Sequence, residues 1–148
     1  MRFITRELYL SQQPDSDIPE EESEQDWDDQ WKALRQHFEE IKSKLPEGAQ
    51  ALGETTFHDS LVENISQPIS SEVVVSLDAS RNPWGPQGKI ELVFHGVVRV
   101  SGLNDIVGDY WLYEEVDLDQ EGSFRFNVLF EKSELEICAN DVEIKYAA

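Results

Sequence analysis

The chain reads as an α+β domain: an antiparallel β-sheet of about six strands, strongly curved or folded over as a sandwich, with an N-terminal amphipathic helix packed on one face. Three observations predict it. Between Gly88 and Val100 the residues Ile90, Leu92, Phe94, Val98 and Val100 fall on one parity, and Lys89, Glu91, His95 and Arg99 on the other. A period of two marks a strand with one buried face. Trp27, Trp31, Leu34, Phe38, Ile41 and Leu45 advance alternately by a long and a short helical step, which gathers them on one stripe. The strand-like segments of the second half are joined mostly by short connections, and those suit antiparallel pairing because a parallel pair needs a crossover.

The N-terminal residues 2–13 predict a short helix with Thr5 as its N-cap and Pro14 as its stop. The following stretch, 14–24, is crowded with acids (Asp15, Asp17, Glu20, Glu21, Glu22, Glu24) and is expected to be a flexible linker, having too little apolar surface to order itself. Ser23-Glu24-Gln25-Asp26 has the pattern of a capping box, so the amphipathic helix is expected over 25–45, stopped by Pro46 and Gly48. Its two tryptophans are read as core, where such stripes usually lie.

The β-region is expected over 56–146, within a single domain spanning 1–148. Its first strand would run from Thr56 to Ile65, and its second, Glu72 to Asp78, turns Val73, Val75 and Leu77 inward. The loop Asn82-Pro83-Trp84-Gly85-Pro86-Gln87-Gly88 leads into a long central strand, in which Gly96 predicts a bend or a close backbone approach. A fourth strand, Tyr110 to Leu118, ends at the turn Asp119-Gln120-Glu121-Gly122; Phe124, Phe126, Val128 and Phe130 define the fifth. In the sixth, Leu135, Ile137 and Ala139 hold one parity while Val142, Ile144 and Tyr146 hold the other, so a bulge or break is expected at Asn140-Asp141.

Charge narrows the classes of function. Asp and Glu number 31 against 12 Lys and Arg, a net charge of −19. Such a chain is unsuited to nucleic acid and to anionic membranes, both of which call for a basic surface. It favours fast encounter with a basic protein partner. No run approaches the ~20 apolar residues of a membrane span. The N-terminus lacks the apolar core of a secretory signal, and the single Cys138 permits no internal disulfide, so a reducing, cytoplasmic setting is expected.

Two sets of residues are candidates for a site. His58-Asp59 could orient a general base, although neighbours in a strand point to opposite faces; Asp59 would otherwise cap a turn. In Tyr110–Val116 aromatics occupy both strand faces, and Trp111 and Tyr113, if exposed, would anchor an interface rimmed by Glu114 and Glu115. His37, His58 and His95 lack the spacing of a zinc site, and no nucleophile elbow, phosphate loop or dinucleotide fingerprint is present, so no cofactor is expected. Two readings follow: a non-enzymatic binding protein with an acidic surface, or a small enzyme or metal-dependent hydrolase organised around His58 and Asp59.

The stretch Trp111-Leu112-Tyr113-Glu114-Glu115-Val116, with Phe124 to Phe130 and Leu135 to Ile144, resembles the C-terminal part of the bacterial domain of unknown function 4085 family. Met1 to Tyr9 and Phe57-His58-Asp59-Ser60 are similar to the same group, from which this chain departs in being short between the helix and Phe57. The family has no assigned function, so the resemblance implies no catalytic residues. A His-Asp motif opening a β-domain is also similar to some small immunity proteins of bacterial toxin systems.

Overall fold

In the computed structural model, which describes residues 1–120 and 122–147, the alternating segments build two four-stranded antiparallel sheets rather than one sheet of about six strands. The strands are β1 (Leu61–Ser66), β2 (Glu72–Asp78), β3 (Lys89–His95), β4 (Arg99–Ser101), β5 (Trp111–Leu118), β6 (Phe124–Phe130), β7 (Glu134–Ala139) and β8 (Asp141–Tyr146). Their order is β1-β2-β3-β8 in one sheet and β4-β7-β6-β5 in the other. The inward rows of both sheets join one core, where Phe94 meets Phe124 and Phe126 with ring centroids 6.4 and 5.7 Å apart. Glu121, within the turn expected at 119–122, lies outside the described residues.

The long central strand expected from Gly88 to Val100 is two strands in two sheets. Ile90, Leu92 and Phe94 before the crossing and Val100 after it face the same interior, whereas Val98, expected on the buried parity, is exposed and Val97 packs against the core instead. The chain changes sheets at Gly96, which takes φ +62° and packs so closely on Asn140 that a Cβ would stand 2.4 Å from its side-chain amide nitrogen. Asn140 is the matching corner between β7 and β8, and its backbone N–H donates to His95 O at 3.0 Å. The parity flip at Asn140-Asp141 is thus a change of sheet.

Three helices cover the sandwich, where one amphipathic helix and a short N-terminal one were expected. The first, α1 (Arg6–Ser11), is capped as expected, with Thr5 Oγ1 accepting from Leu8 N at 3.2 Å. The second, α2 (Glu20–Ile41), starts five residues earlier than expected and ends four earlier. Pro19 stands at its N-cap, and Glu20, Glu21 and Glu22 fill the first turn, where carboxylates suit the helix dipole. Ser23 is therefore no cap: it is buried inside the helix, and its carbonyl accepts from the Gln12 side-chain amide at 2.7 Å, tying α2 to α1. A 3-10 turn at Lys42–Lys44 leads to Pro46, which starts a third helix, α3 (Glu47–Gly53), instead of stopping the second.

Packing of α3 depends on Gly48, where a Cβ would stand 1.8 Å from Val142 O. That contact seats α3 against both β8 and β5, with Ala49 and Leu52 buried in the core. The longer α2 lies against β5. Its stripe grades from half-buried Trp27 and Trp31 to buried Leu34 and Ile41. No helix among the described residues is long and apolar enough to cross a membrane.

Candidate functional site

The site begins with an irregularity in β5. Trp111 lies opposite Phe130 and Tyr113 opposite Leu129, so Leu112 is an extra residue in the ladder. One inserted residue reverses the facing of all that follow. Glu114, Val116 and Leu118 pair with Val128, Phe126 and Phe124 and share their inward face; Tyr113, Glu115 and Asp117 face outward, beneath the N-terminal segment and α2.

Three of the candidate residues are consequently committed to structure. Trp111 is wholly buried, with the rings of Phe57, Phe126 and Phe130 at 5.2, 5.8 and 5.5 Å. As an anchor it has no surface to offer a partner. Glu115 is buried as well, and its carboxylate accepts the N–H groups of Arg2, Phe3 and Ile4 at 2.8, 3.0 and 2.7 Å. Tyr113 lies under Trp27, Trp31 and His58, with centroids 5.2, 5.4 and 5.1 Å away. Burial, and then the negative charge that Tyr9, Asp59 and Glu114 can carry, hold its hydroxyl above the usual tyrosine range. Two residues beyond Glu115 on the same face, Asp117 accepts from His37 Nε2 at 2.8 Å and from Arg125 at 3.2 Å. Burial opposes its ionisation, but these donors outweigh burial and hold its carboxyl below the usual range.

His58 and Asp59 precede β1 in a tight turn instead of forming part of a strand. Asp59 adopts φ +62°, and the turn is hooked onto the bulge by Asp59 N to Trp111 O and Trp111 N to Ser60 O, each 2.8 Å. The left-handed residue brings the Asp59 carboxylate back to 3.5 Å from His58 Nε2, a meeting that a strand would forbid. His58 Nδ1–H donates to Leu112 O at 2.6 Å, since a carbonyl can only accept. The ring is held between Trp84, stacked at 4.5 Å, and Tyr113. His58 therefore acts as a spacer that fixes one tryptophan over the bulge.

Trp84 owes its position to Asn82. The wholly buried Asn82 donates to Thr56 O at 2.7 Å and to Pro86 O at 3.0 Å, while its side-chain oxygen accepts from Trp84 N at 3.2 Å. Gly85 lies against the same carbonyl, where a Cβ would come within 2.3 Å of Thr56 O. A tryptophan in this Pro- and Gly-rich loop remains 65% exposed. Its place in a run of turn residues is a weak signal, and sequence reasoning passed over it as part of a connection.

Between α2, the end of α3, this loop and β5 lies a groove of about 530 Å³, walled by Trp31, Phe38, Trp84 and Tyr146. Glu114 stands in it. Its Oε1 accepts from Phe57 N and its Oε2 from Trp111 Nε1, both at 3.3 Å, and Thr56 adds a side-chain hydrogen bond. Burial raises its pKa to about 7 despite these donors, so the groove carries a carboxyl that changes charge near neutrality. Glu39, Glu54, Glu115 and Arg35 complete the charged lining, and Glu54 is paired with Lys42. The structure thus gathers His58, Asp59, Tyr113 and Glu114 around one bulge; of the six candidates Glu114 and Glu115 line the groove, and Glu115 is already occupied by three backbone N–H groups. Among the described residues no group of three or more His, Cys, Asp or Glu side chains could hold a metal ion.

No curated protein matches this chain. A family model described as a protein of unknown function (DUF4085) matches residues 6–139. The match takes in α1, α2, α3, the loop that carries Trp84 and the whole bulged strand with Glu114. It runs over most of the sequence, and the chain belongs to the DUF4085 family of proteins of unknown function.

Proposed function

We propose that this protein works by binding, and that its groove receives a segment of a basic protein partner. One observation carries the reading: aromatic side chains left half-buried or exposed stand around a concave surface whose carboxylates outnumber its cations. Trp84 and Tyr146 are 65% and 57% exposed at the groove, a poor use of apolar surface unless something covers it. The net charge of −19 supplies long-range attraction for a cationic partner.

The catalytic alternative centred on His58 and Asp59 has less support. His58 Nδ1–H is committed to Leu112 O, its Nε2 lies 3.5 Å from the Asp59 carboxylate, and its ring is covered by Trp84 and Tyr113. Glu114 is the one group that favours acid–base chemistry, through its ionisation near neutral pH.

The test uses the full chain as bait in extracts of its source cells, followed by kinetics with the purified partner. Association should slow as salt rises, because screening shortens from ~10 Å at 0.1 M to ~3 Å at 1 M. Trp84→Ala should speed dissociation, since buried aromatic anchors act mainly on the off-rate. A partner whose rates ignore both salt and Trp84→Ala places the working surface elsewhere.

A further inference from the structure

We infer that the groove is built for one arginine side chain of that partner, its guanidinium paired with Glu114 and laid against Trp84. The inference rests on the binding reading above and names the group the groove selects.

Capacity comes first. A carboxylate has about four lone-pair positions. Phe57 N–H and the Trp111 indole approach those of Glu114 at 3.3 Å, long for charge-assisted bonds, and Thr56 and the backbone N–H of Glu114 itself are the remaining donors. No cation is paired with Glu114 among the described residues, whereas Asp117 is paired with Arg2 and Arg125, and Glu54 with Lys42. A half-buried carboxylate without a cation is a costly arrangement that an incoming guanidinium would relieve.

Shape comes second. His58 covers one side of the Trp84 indole, and the residue is still 65% exposed. Trp31 and Phe38 supply further aromatic wall. A planar guanidinium stacks on such rings and donates in a fork to a carboxylate, which a lysine ammonium does less well. Its methylene stem suits the apolar part of the lining.

Charge comes third. Groups around Glu114 are Glu39 and Arg35 from α2, Glu54 from the end of α3, Glu115 and Tyr113 from β5, Tyr146 from β8, and His58 and Asp59 beyond Phe57. Glu115 is occupied by three backbone N–H groups and Glu54 by Lys42, which leaves Glu39 and Glu114 against Arg35. The balance still favours a cation. Because Glu114 loses its proton near pH 7, a guanidinium should bind better as pH rises.

The experiment titrates the intact protein with a capped Gly-Arg-Gly peptide and with its citrulline counterpart, which has nearly the same shape and no charge. The indole N–H signals of Trp31 and Trp84 are followed by NMR. The arginine peptide should shift both signals and bind at least several-fold more tightly than the citrulline peptide. Its affinity should rise about tenfold between pH 6 and pH 8, the gain expected from ionising one group of pKa near 7. Glu114→Gln, which keeps acceptor and size, should erase both the preference and the pH dependence; Trp84→Ala, an exposed position, should weaken the arginine peptide alone. If both peptides bind in the groove alike and Glu114→Gln changes nothing, the groove stands and the guanidinium assignment is overturned. If neither peptide moves the two indole signals, the groove reading falls as well. Arginine-dependent shifts confined to the acidic start of α2, unchanged in Glu114→Gln, would also overturn the assignment.

Discussion

The carboxylate of Glu115 holds the backbone N–H of Ile4 at 2.7 Å, joining the N-terminal segment to a strand from the far end of the chain. The same side chain takes the N–H groups of Arg2 and Phe3, so one buried charge satisfies three donors ahead of α1. Glu115→Ala should lower stability by about 2–4 kcal/mol, since bonds to a charged acceptor are each worth about 1.5–3 kcal/mol and buried donors would be left unpaired. Urea unfolding measures the loss, and cleavage near residue 5 by a nonspecific protease should quicken in parallel. An unchanged midpoint would mean that the N-terminal segment is held by its packing alone.

Two tryptophans should behave in opposite ways. Trp111→Ala empties a wholly buried site among Phe57, Phe126 and Phe130, and should cost about 3–5 kcal/mol of stability. Trp84→Ala removes an exposed ring and should stay within about 0.5 kcal/mol of the parent. Thermal or urea denaturation of both variants checks the pair, and a large loss on Trp84→Ala would mean that its stacking on His58 supports the fold.

Gly48→Ala tests the packing of α3. In an exposed helix this change stabilises by about 1 kcal/mol. Here the added methyl meets Val142 O at 1.8 Å, so α3 must move off β8. The expected outcome is destabilisation by more than about 2 kcal/mol, the scale of core overpacking. A gain in melting temperature would show that α3 is free to shift.

Glu114 gives stability a pH dependence of unusual sign for an acid. Its carboxyl titrates at 4.5 when unfolded and at about 7 when folded, so between those values the native state holds a proton that the unfolded state has released. Its contribution is therefore greatest below pH 4.5 and declines as pH rises to 7, by an amount on the order of 3 kcal/mol. Glu114→Gln cannot ionise. Its stability relative to the parent should improve from pH 5 to about pH 7 and level off above it in urea titrations, and a constant difference would place the group's titration elsewhere.

Legibility followed regularity. The clean alternation of Phe124, Phe126, Val128 and Phe130 and the Thr5 cap were readable because each is a local pattern with one physical outcome. The split of β3 from β4 was not, because both halves turn their apolar residues to the same interior and only a close approach at Gly96 separates them. Leu112 misled more deeply. Without the bulge Trp111 and Tyr113 share a face, whereas with it Trp111 joins Glu114 inside, and nothing in Trp-Leu-Tyr-Glu-Glu-Val announces the extra residue. Gly48 was read as a stop signal because its role, contact with a strand almost a hundred residues later, is a property of the fold.

The pairing of β3 with β8 decides which strand forms the rim of its sheet. Along β3, six residues from Ile90 to His95 are matched by β8 from Asp141 to Tyr146, the last strand among the described residues. Were the chain cut at the Asn140 corner, β3 would become the rim of its sheet, with an open ladder running beside Leu92, Val93 and Phe94. Rims of that kind recruit other chains. β8 itself is alternately acidic and apolar, with Asp141 and Glu143 interleaved between Val142 and Ile144. Charged residues along an edge strand discourage further strand addition, and Asp141 and Glu143 place such charges along β8.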